Sequence, residues 1–529
     1  MDKKIAFVIK TSQEFIRHSE SDAEKYAPEF NSLFESVSNT FIPLLNMLGR
    51  FEEKSVNAAF GLVVSPIFCS LMENETVQNM YIEWLDKRIQ LGNEELARVS
   101  DNQKLVSIIK RTIDNYATLK TDFEEKYQKL IVKKLAEYHQ KGSLELIATC
   151  GTDIFVPHYI DLQEVISAQI EIGLQAYRQS FGCFPDGFWL PELGYSNGVE
   201  KLIRAYGYSY TLLDARGVLL ANQYPSKGIF YPARTENSLA VFAVDPDLNE
   251  NIYGESGFAV NPVYRNENRD IGFNLPMDNL SALMHAGSPR FSTGYKYWNK
   301  SLSAENELYD FEAAKKQACE DAKNFLDAKK VLLTHAGECI SDSDYVVSVC
   351  ALDASKLKQE WSEWILWFEQ VLLNAKDNDL TVVKCNEMLE KQFSLEKINP
   401  YYSSSAGEGY GEDLLSSKNC WMMRYSRKAS ERMIDLADRF PNDTGLKTRL
   451  LNLGAKELLI AQSLGISKMI ENDEFPEYAE KRFKESIAAF TAVFDSLGSN
   501  TVSTEWLTKL EEKDDFYPWI NYRVFSKKK

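Results

Sequence analysis

The stretch Val346-Val347-Ser348-Val349-Cys350-Ala351-Leu352-Asp353 is apolar at almost every position and closes on a carboxylate. A strand with one wet face alternates polar and apolar residues. A continuous run like this one belongs to a parallel sheet covered on both faces. The signature recurs at 5–9, 58–64, 144–149, 187–190, 210–213, 239–244 and 380–383. Helical periodicity fills the intervals, for example at 162–180, 199–206 and 313–328. This alternation predicts an α/β barrel or a doubly wound sheet.

Two regions depart from the pattern. From about 73 to 140 the chain is charged, apolar at helical spacing and free of proline, which predicts an inserted helical subdomain. From Asn419 onward only helical patterns occur, at 420–439, 446–464 and 478–497, with Pro441 and Gly498 where such helices would stop. The expected division is a barrel over 1–400, carrying the insertion at about 73–140, and a helical domain over 401–529.

Composition narrows the function classes. With 44% hydrophobic and 26% charged residues among 529, the chain is an ordinary globular protein. A net charge of -17 argues against nucleic acid or an anionic membrane as partner. No stretch reads as membrane-spanning, and the apolar run after Lys4 is too short for a signal peptide. Eight cysteines scattered without a CxxC pair suggest free thiols in a reducing compartment, so a cytoplasmic location is expected. The five histidines (His18, His139, His158, His285, His335) make no HxH or HxxxH pair, so neither a metal nor another cofactor is expected. The glycines of Ser403-Ser404-Ser405-Ala406-Gly407-Glu408-Gly409-Tyr410-Gly411 fit no phosphate loop, and the segment reads as a flexible interdomain loop.

Barrels carry their chemistry at the C-terminal ends of the strands. Those positions are Lys10, Asp153, Glu192, Asp214 and Asp353. Glu192 lies in Gly187-Phe188-Trp189-Leu190-Pro191-Glu192-Leu193-Gly194-Tyr195, where Pro191 stiffens the turn and Gly194 is expected to relieve it. Two carboxylates on two buried strands, Glu192 and Asp353, are the minimum equipment for retaining glycoside chemistry. Spacing alone favours plainer readings: a solvent-facing loop glutamate, and a helix cap for Asp353.

Taken together, these segments resemble glycoside hydrolase family 57, including its branching-enzyme and α-amylase-like members. The resemblance includes Ser65-Pro66, Thr152-Asp153-Ile154-Phe155-Val156-Pro157, the Trp-Leu-Pro-Glu segment, Asp245-Pro246, Tyr264-Arg265 and Thr293-Gly294-Tyr295-Lys296-Tyr297. It extends to Glu457-Leu458-Leu459 and to the ending Phe516-Tyr517-Pro518-Trp519. The resemblance implies an incomplete seven-stranded (β/α) barrel with a helical insertion and an all-helical C-terminal domain. It also implies Glu192 as nucleophile, Asp353 as general acid/base, and an α-glucan or other oligosaccharide as ligand. Substrate contacts are expected from Lys10, Asp153, Trp189, Tyr195, Asp214 and Trp361.

Several residues around the two carboxylates depart from the family pattern. A His-x-His-x-Pro motif is replaced by Lys10-Thr11-Ser12-Gln13-Glu14, and Thr-His-x-Phe by Thr152-Asp153-Ile154-Phe155. Behind the acid, Glu-Leu-Phe-Gly-His-Trp-Trp gives way to a run ending in Glu360-Trp361. A tryptophan of the interdomain loop is Ala406, and Ser-Ser-Asp-Trp is Ser463-Leu464-Gly465-Ile466. The leading expectation is a double-displacement enzyme acting on an α-glucan, by hydrolysis or branching. Its alternative is a catalytically silent relative that binds a glycan or a partner protein. A third reading gives the cleft a charged small molecule held by Lys10 and Asp153.

Overall fold

The computed structural model describes residues 1–17, 28–57, 59–284, 289–301, 307–340, 343–389 and 394–527. His18, His285 and Ala58, the first residue of one expected strand, lie outside them. Among the described residues nine strands form one sheet: β1 (Asp2–Lys10), β2 (Phe60–Val63), β3 (Leu144–Thr149), β4 (Gly187–Trp189), β5 (Tyr210–Leu213), β6 (Ala233–Arg234), β7 (Ala240–Ala243), β8 (Tyr345–Asp353) and β9 (Thr381–Val383). Their order is β6-β7-β5-β4-β3-β2-β1-β8, with β9 also on β1. β8 pairs with β1 from Asp2↔Tyr345 to Lys10↔Asp353 and so takes one edge of β1 entirely. The other edge is shared by β2 at the upper end and β9 at the lower.

Seven parallel strands, β1–β5, β7 and β8, curl into the incomplete (β/α) barrel. The seam between β7 and β8 is closed by the Val244↔Val349 bridge and the Asp245 N–H on the Val349 carbonyl at 2.8 Å. Where a complete barrel would place another strand, the buried Asp245 accepts from Lys329 and Ser348. Lys329 comes from the helix Phe311–Cys339, which Asp310 caps and which runs well past the expected 313–328. The short antiparallel β6 carries no apolar run and had no sequence signal.

Strand alternation decides which residues face the barrel interior. Ala6, Val8, Val63, Ile147, Trp189, Tyr210, Leu212, Phe242, Val347 and Val349 form the inner cluster. Ile5, Phe7, Ile9, Leu146 and Leu352 belong to the larger core shared with the helices. Lys10 continues the inward row of Ala6 and Val8, and Asp353 that of Val347 and Val349. Both are therefore delivered to the mouth of the barrel.

Helices Glu75–Arg98, Gln103–Thr121 and Ile131–Gln140 lie between β2 and β3, the stretch expected to be an insertion. The C-terminal region is helical: Cys420–Arg439, Leu446–Ala461, Leu464–Glu471, Pro476–Ser499 and Thr504–Lys513. The single helix expected over 446–464 is broken at Ser463, whose backbone is extended. The cause is tertiary. The Asp153 carbonyl accepts the Leu464 N–H, and Glu14 accepts from Gly465 N–H and Ser463 Oγ, so distant residues supply the caps of a new helix. Gly498 does not end its helix either; the chain turns two residues later, at Asn500 in the left-handed region.

Candidate active site

Glu192 sits in a strained turn. Its φ is +53° and that of Leu193 is +48°, so two successive non-glycine residues are left-handed. Each such residue costs about 1–3 kcal/mol and persists only where its surroundings enforce it. Here the enforcement comes from the interdomain loop. Ser404 Oγ and the Ser405 N–H both donate to the Glu192 carbonyl at 2.8 Å, and Tyr195 and Ser403 exchange backbone hydrogen bonds. Gly194 has an ordinary φ of −69°, so it does not relieve the turn. A Cβ there would stand 2.5 Å from the Phe155 ring, so glycine is required by packing. The loop expected to be flexible is thus pinned at its start: Ser403 and Ser404 are fully buried.

The Glu192 carboxylate meets two lysines. Lys468 Nζ lies 2.7 Å from Oε1 and Lys10 Nζ 3.4 Å from the same oxygen. Lys10 also reaches Asp353 Oδ2 at 3.2 Å, so one ammonium bridges the two carboxylates. Burial alone would raise the Glu192 pKa, but Lys10 and then Lys468 outweigh it and hold the carboxyl at about 2. Burial likewise works against the charge on Lys10; Asp353, Glu192 and Asp153 overcome it and keep the ammonium above the ordinary lysine range. Asp153 is pushed up, chiefly by burial, with Lys10 opposing and Glu192 adding to the rise.

Asp353 fills two roles at once. Oδ1 accepts the Ser355 and Lys356 N–H groups and caps the helix Ala354–Glu360, while Oδ2 faces Lys10. The cap reading and the site reading thus concern opposite oxygens of one group. Every hydrogen-bond neighbour of this carboxylate is a donor.

The structure brings Lys10, Asp153, Glu192 and Asp353 together and adds Lys468. The remaining expected contact residues lie elsewhere. Asp214 caps the helix Ala215–Leu219 and pairs with Arg216 Nε at 2.8 Å; Arg216 in turn reaches the Glu408 carbonyl. Its carboxylate is thereby committed to the rim of the barrel rather than to the lysine cluster. Tyr195 is 1% exposed and gives its hydroxyl to Glu200 at 2.9 Å. Trp361 is fully buried against Tyr264 and Trp367, with Trp364 and Trp367 equally buried beside it. A ring with no exposed face cannot stack on a sugar, so Trp361 is a core residue in this conformation. Trp189 packs in the inner cluster, 5% exposed, with its indole N–H unpartnered. Lys468 had no sequence signal, because its reach to Glu192 depends on the tertiary break at Ser463.

Among the described residues no group of three or more His, Cys, Asp or Glu side chains is placed to hold a metal ion. No described helix is long and apolar enough to cross a membrane.

The sequence pattern of glycosyl hydrolase family 57 matches residues 6–282, more than half of the chain. The chain belongs to family 57. The pattern described as "1,4-alpha-glucan branching enzyme, C-terminal" matches residues 425–525. The 1,4-alpha-glucan branching enzyme TK1436 of Thermococcus kodakarensis is 23% identical, covering 91% of this chain and 73% of its own. Among solved structures, the α-amylase AmyC of Thermotoga maritima superposes with a TM-score of 0.90 at 27% identity, over 99% of each chain. The branching enzyme of Pyrococcus horikoshii has the same fold, with a TM-score of 0.87 at 20% identity, over 100% of this chain and 98% of that one. The family 57 barrel and the C-terminal helical region are therefore both present, as the resemblance implied.

Proposed function

We propose that this chain is a family 57 protein that binds an α-glucan or a related oligosaccharide at the barrel mouth without turning it over. The observation that carries the reading is the Lys10 ammonium lodged between Glu192 and Asp353. A retaining reaction needs carboxyl groups about 5–5.5 Å apart with the anomeric carbon between them, one attacking and the other delivering a proton. Lys10 Nζ stands 3.4 Å from one carboxylate and 3.2 Å from the other, so a sugar ring entering between them has to displace that ammonium. The missing family residues point the same way. A hydrogen bond to a charged group contributes about 1.5–3 kcal/mol, so losing several contacts removes much of the transition-state binding.

One observation favours the second reading, a working double displacement. Glu192 is held ionised, with its pKa at about 2, as a nucleophile must be. In that scheme Glu192 attacks the anomeric carbon and Asp353 protonates the leaving oxygen; Asp353 then activates water for hydrolysis or a glucan hydroxyl for transfer. Steady-state assay on amylose, maltooligosaccharides and an activated α-glucoside, with Glu192→Gln alongside and binding measured on both proteins, separates the two. The proposal expects binding and no turnover. Turnover that disappears in Glu192→Gln would establish the second reading instead.

A further inference from the structure

The helix Leu464–Glu471 is fastened to the barrel mouth at three independent points. The Leu464 N–H donates to the Asp153 carbonyl at 2.7 Å, at the end of β3. The Gly465 N–H donates to Glu14 Oε1 at 3.0 Å, just past β1, and Ser463 Oγ donates to the other oxygen. One turn on, Lys468 holds Glu192 past β4. Only glycine allows this approach at position 465, where a Cβ would fall 2.1 Å from Glu14 Oε1. Leu464 also packs with Phe155, Ala406 and Leu414, so the helix, the β3 loop and the interdomain loop share a small apolar joint.

The two lysines on Glu192 are not equivalent. Lys10 projects from the sheet itself and its side chain is 8% exposed, whereas Lys468 belongs to the helical domain and is 38% exposed. Lys10 is built into the barrel. Lys468 reaches Glu192 from solvent, across the boundary between the two parts of the molecule, and it is the cation that can leave without unravelling a strand. The start of the helix that carries it is fixed at Ser463, Leu464 and Gly465, so the part left to swing is the Lys468 side chain.

We infer that Lys468 is the bolt of a gate: its side chain covers the Glu192 carboxylate from the helical-domain side, and releasing the Lys468–Glu192 pair, with the helix still held at Asp153 and Glu14, admits an oligosaccharide. The gate bears on the site assigned above, and only its ligand class depends on that assignment. A partly exposed ion pair is broken by salt and by a competing polar ligand far more readily than a buried one. The gate is therefore sensitive to ionic strength, while the Lys10 bridge beneath it is not.

The test is carboxyl labelling of the full chain by a water-soluble carbodiimide and a small amine, read at Glu192 by peptide mass spectrometry. It is run on the wild type, Lys468→Ala and Lys468→Gln, with maltoheptaose binding measured on the same proteins. Both variants are expected to label Glu192 roughly fivefold faster at low salt, the factor that about 1 kcal/mol of ion pairing commands. High salt should bring the wild type towards the variants and leave the variants unchanged. Maltoheptaose should bind the variants more tightly by a similar factor. Equal Glu192 labelling in all three proteins would overturn the gate, whatever binds. Faster labelling with no maltoheptaose binding by any of them would uphold the gate and count against the glycan reading instead. The Gln variant keeps a polar side chain without the charge, and unchanged far-ultraviolet circular dichroism in both variants excludes a local collapse of the helix as the cause.

Discussion

Glu192, largely enclosed at the mouth of the barrel, and Glu145, buried at its floor, are driven in opposite directions by their surroundings. Glu145, near the start of β3, has Tyr210 Oη at 2.6 Å and the Asn386 N–H at 3.4 Å, and among the described residues only Lys384 acts on it as a cation, without an ion pair. Burial dominates there and raises its pKa to about 7, against which the Tyr210 hydrogen bond works only in part. The Glu192 side chain keeps 16% exposure and burial still works against its charge, but two ammonium groups reverse the outcome. Burial opposes the charge at both ends, and the supply of counter-charge decides which carboxylate is ionised. The floor carboxylate is a polar group tolerated in a core. The mouth carboxylate is one that the chain has gone to two separate elements to neutralise.

The largest effect expected from this contrast is at Lys10. Lys10→Met leaves Glu192 and Asp353 facing each other without their shared cation, and breaking a buried pair costs about 3–5 kcal/mol. Urea denaturation at pH 7 should show a loss near 3 kcal/mol, of which a second change, Asp353→Asn, restores a good part. A loss under roughly 1 kcal/mol would mean the mouth is as tolerant as the floor and would break the comparison.

Next in size is Glu145. Its folded pKa lies above the unfolded value, so the folded state holds the proton more tightly and stability falls as pH rises from about 4.5 to about 7. One pKa unit corresponds to about 1.4 kcal/mol. Glu145→Gln should therefore stabilise the protein by about 2–3 kcal/mol at pH 8 and do little at pH 4. Thermal unfolding at the two pH values checks this, and equal shifts at both would contradict it.

Glu192 has the opposite sign. Its folded pKa is depressed from 4.5 to about 2, so its contribution is fully present above 4.5 and is lost as pH falls through that window. Glu192→Gln should flatten the stability profile between pH 4.5 and 2 and leave the slope between 5 and 7 to Glu145. An unchanged acid limb in that variant would remove Lys10 and Lys468 as the cause of the shift.

The smallest change is expected at the rim. Asp214→Asn should cost at most about 1 kcal/mol, mainly the ion pair with Arg216, because Asn still caps the helix. It should add independently to Lys10→Met, because Asp214 shares no partner with the lysine cluster. Coupling between the two would place Asp214 back among the site residues.

Most of the barrel was legible because its strands are apolar on both faces. The runs at 144–149 and 210–213 became β3 and β5 with the same limits, and the pattern at 420–439 became one helix. The strand-end rule singled out Lys10 and Asp353, and the structure places both on the inward rows of β1 and β8. The features that escaped notice are those decided by distant partners. The helix over 446–464 contains no breaker at the point where it breaks; Asp153 and Glu14 supply the caps from the barrel. Lys468 follows from that break. Trp361 fails as a ligand contact for a related reason. Aromatic residues at helical spacing read alike in a core and in a binding face, and only packing against Phe258, Tyr264 and Trp367 distinguishes them.

The central claim is that the Lys10 bridge removes Glu192 from nucleophilic work while keeping it ionised. It is tested most directly by trapping. The wild type is incubated with an activated α-glucosyl fluoride whose glycosyl-enzyme adduct hydrolyses slowly, and the peptide carrying Glu192 is weighed. The account predicts no adduct at Glu192 with or without the change Lys468→Ala, because Lys10 stays in place. A glycosyl adduct on Glu192 of the wild type would contradict it and establish the double-displacement reading instead.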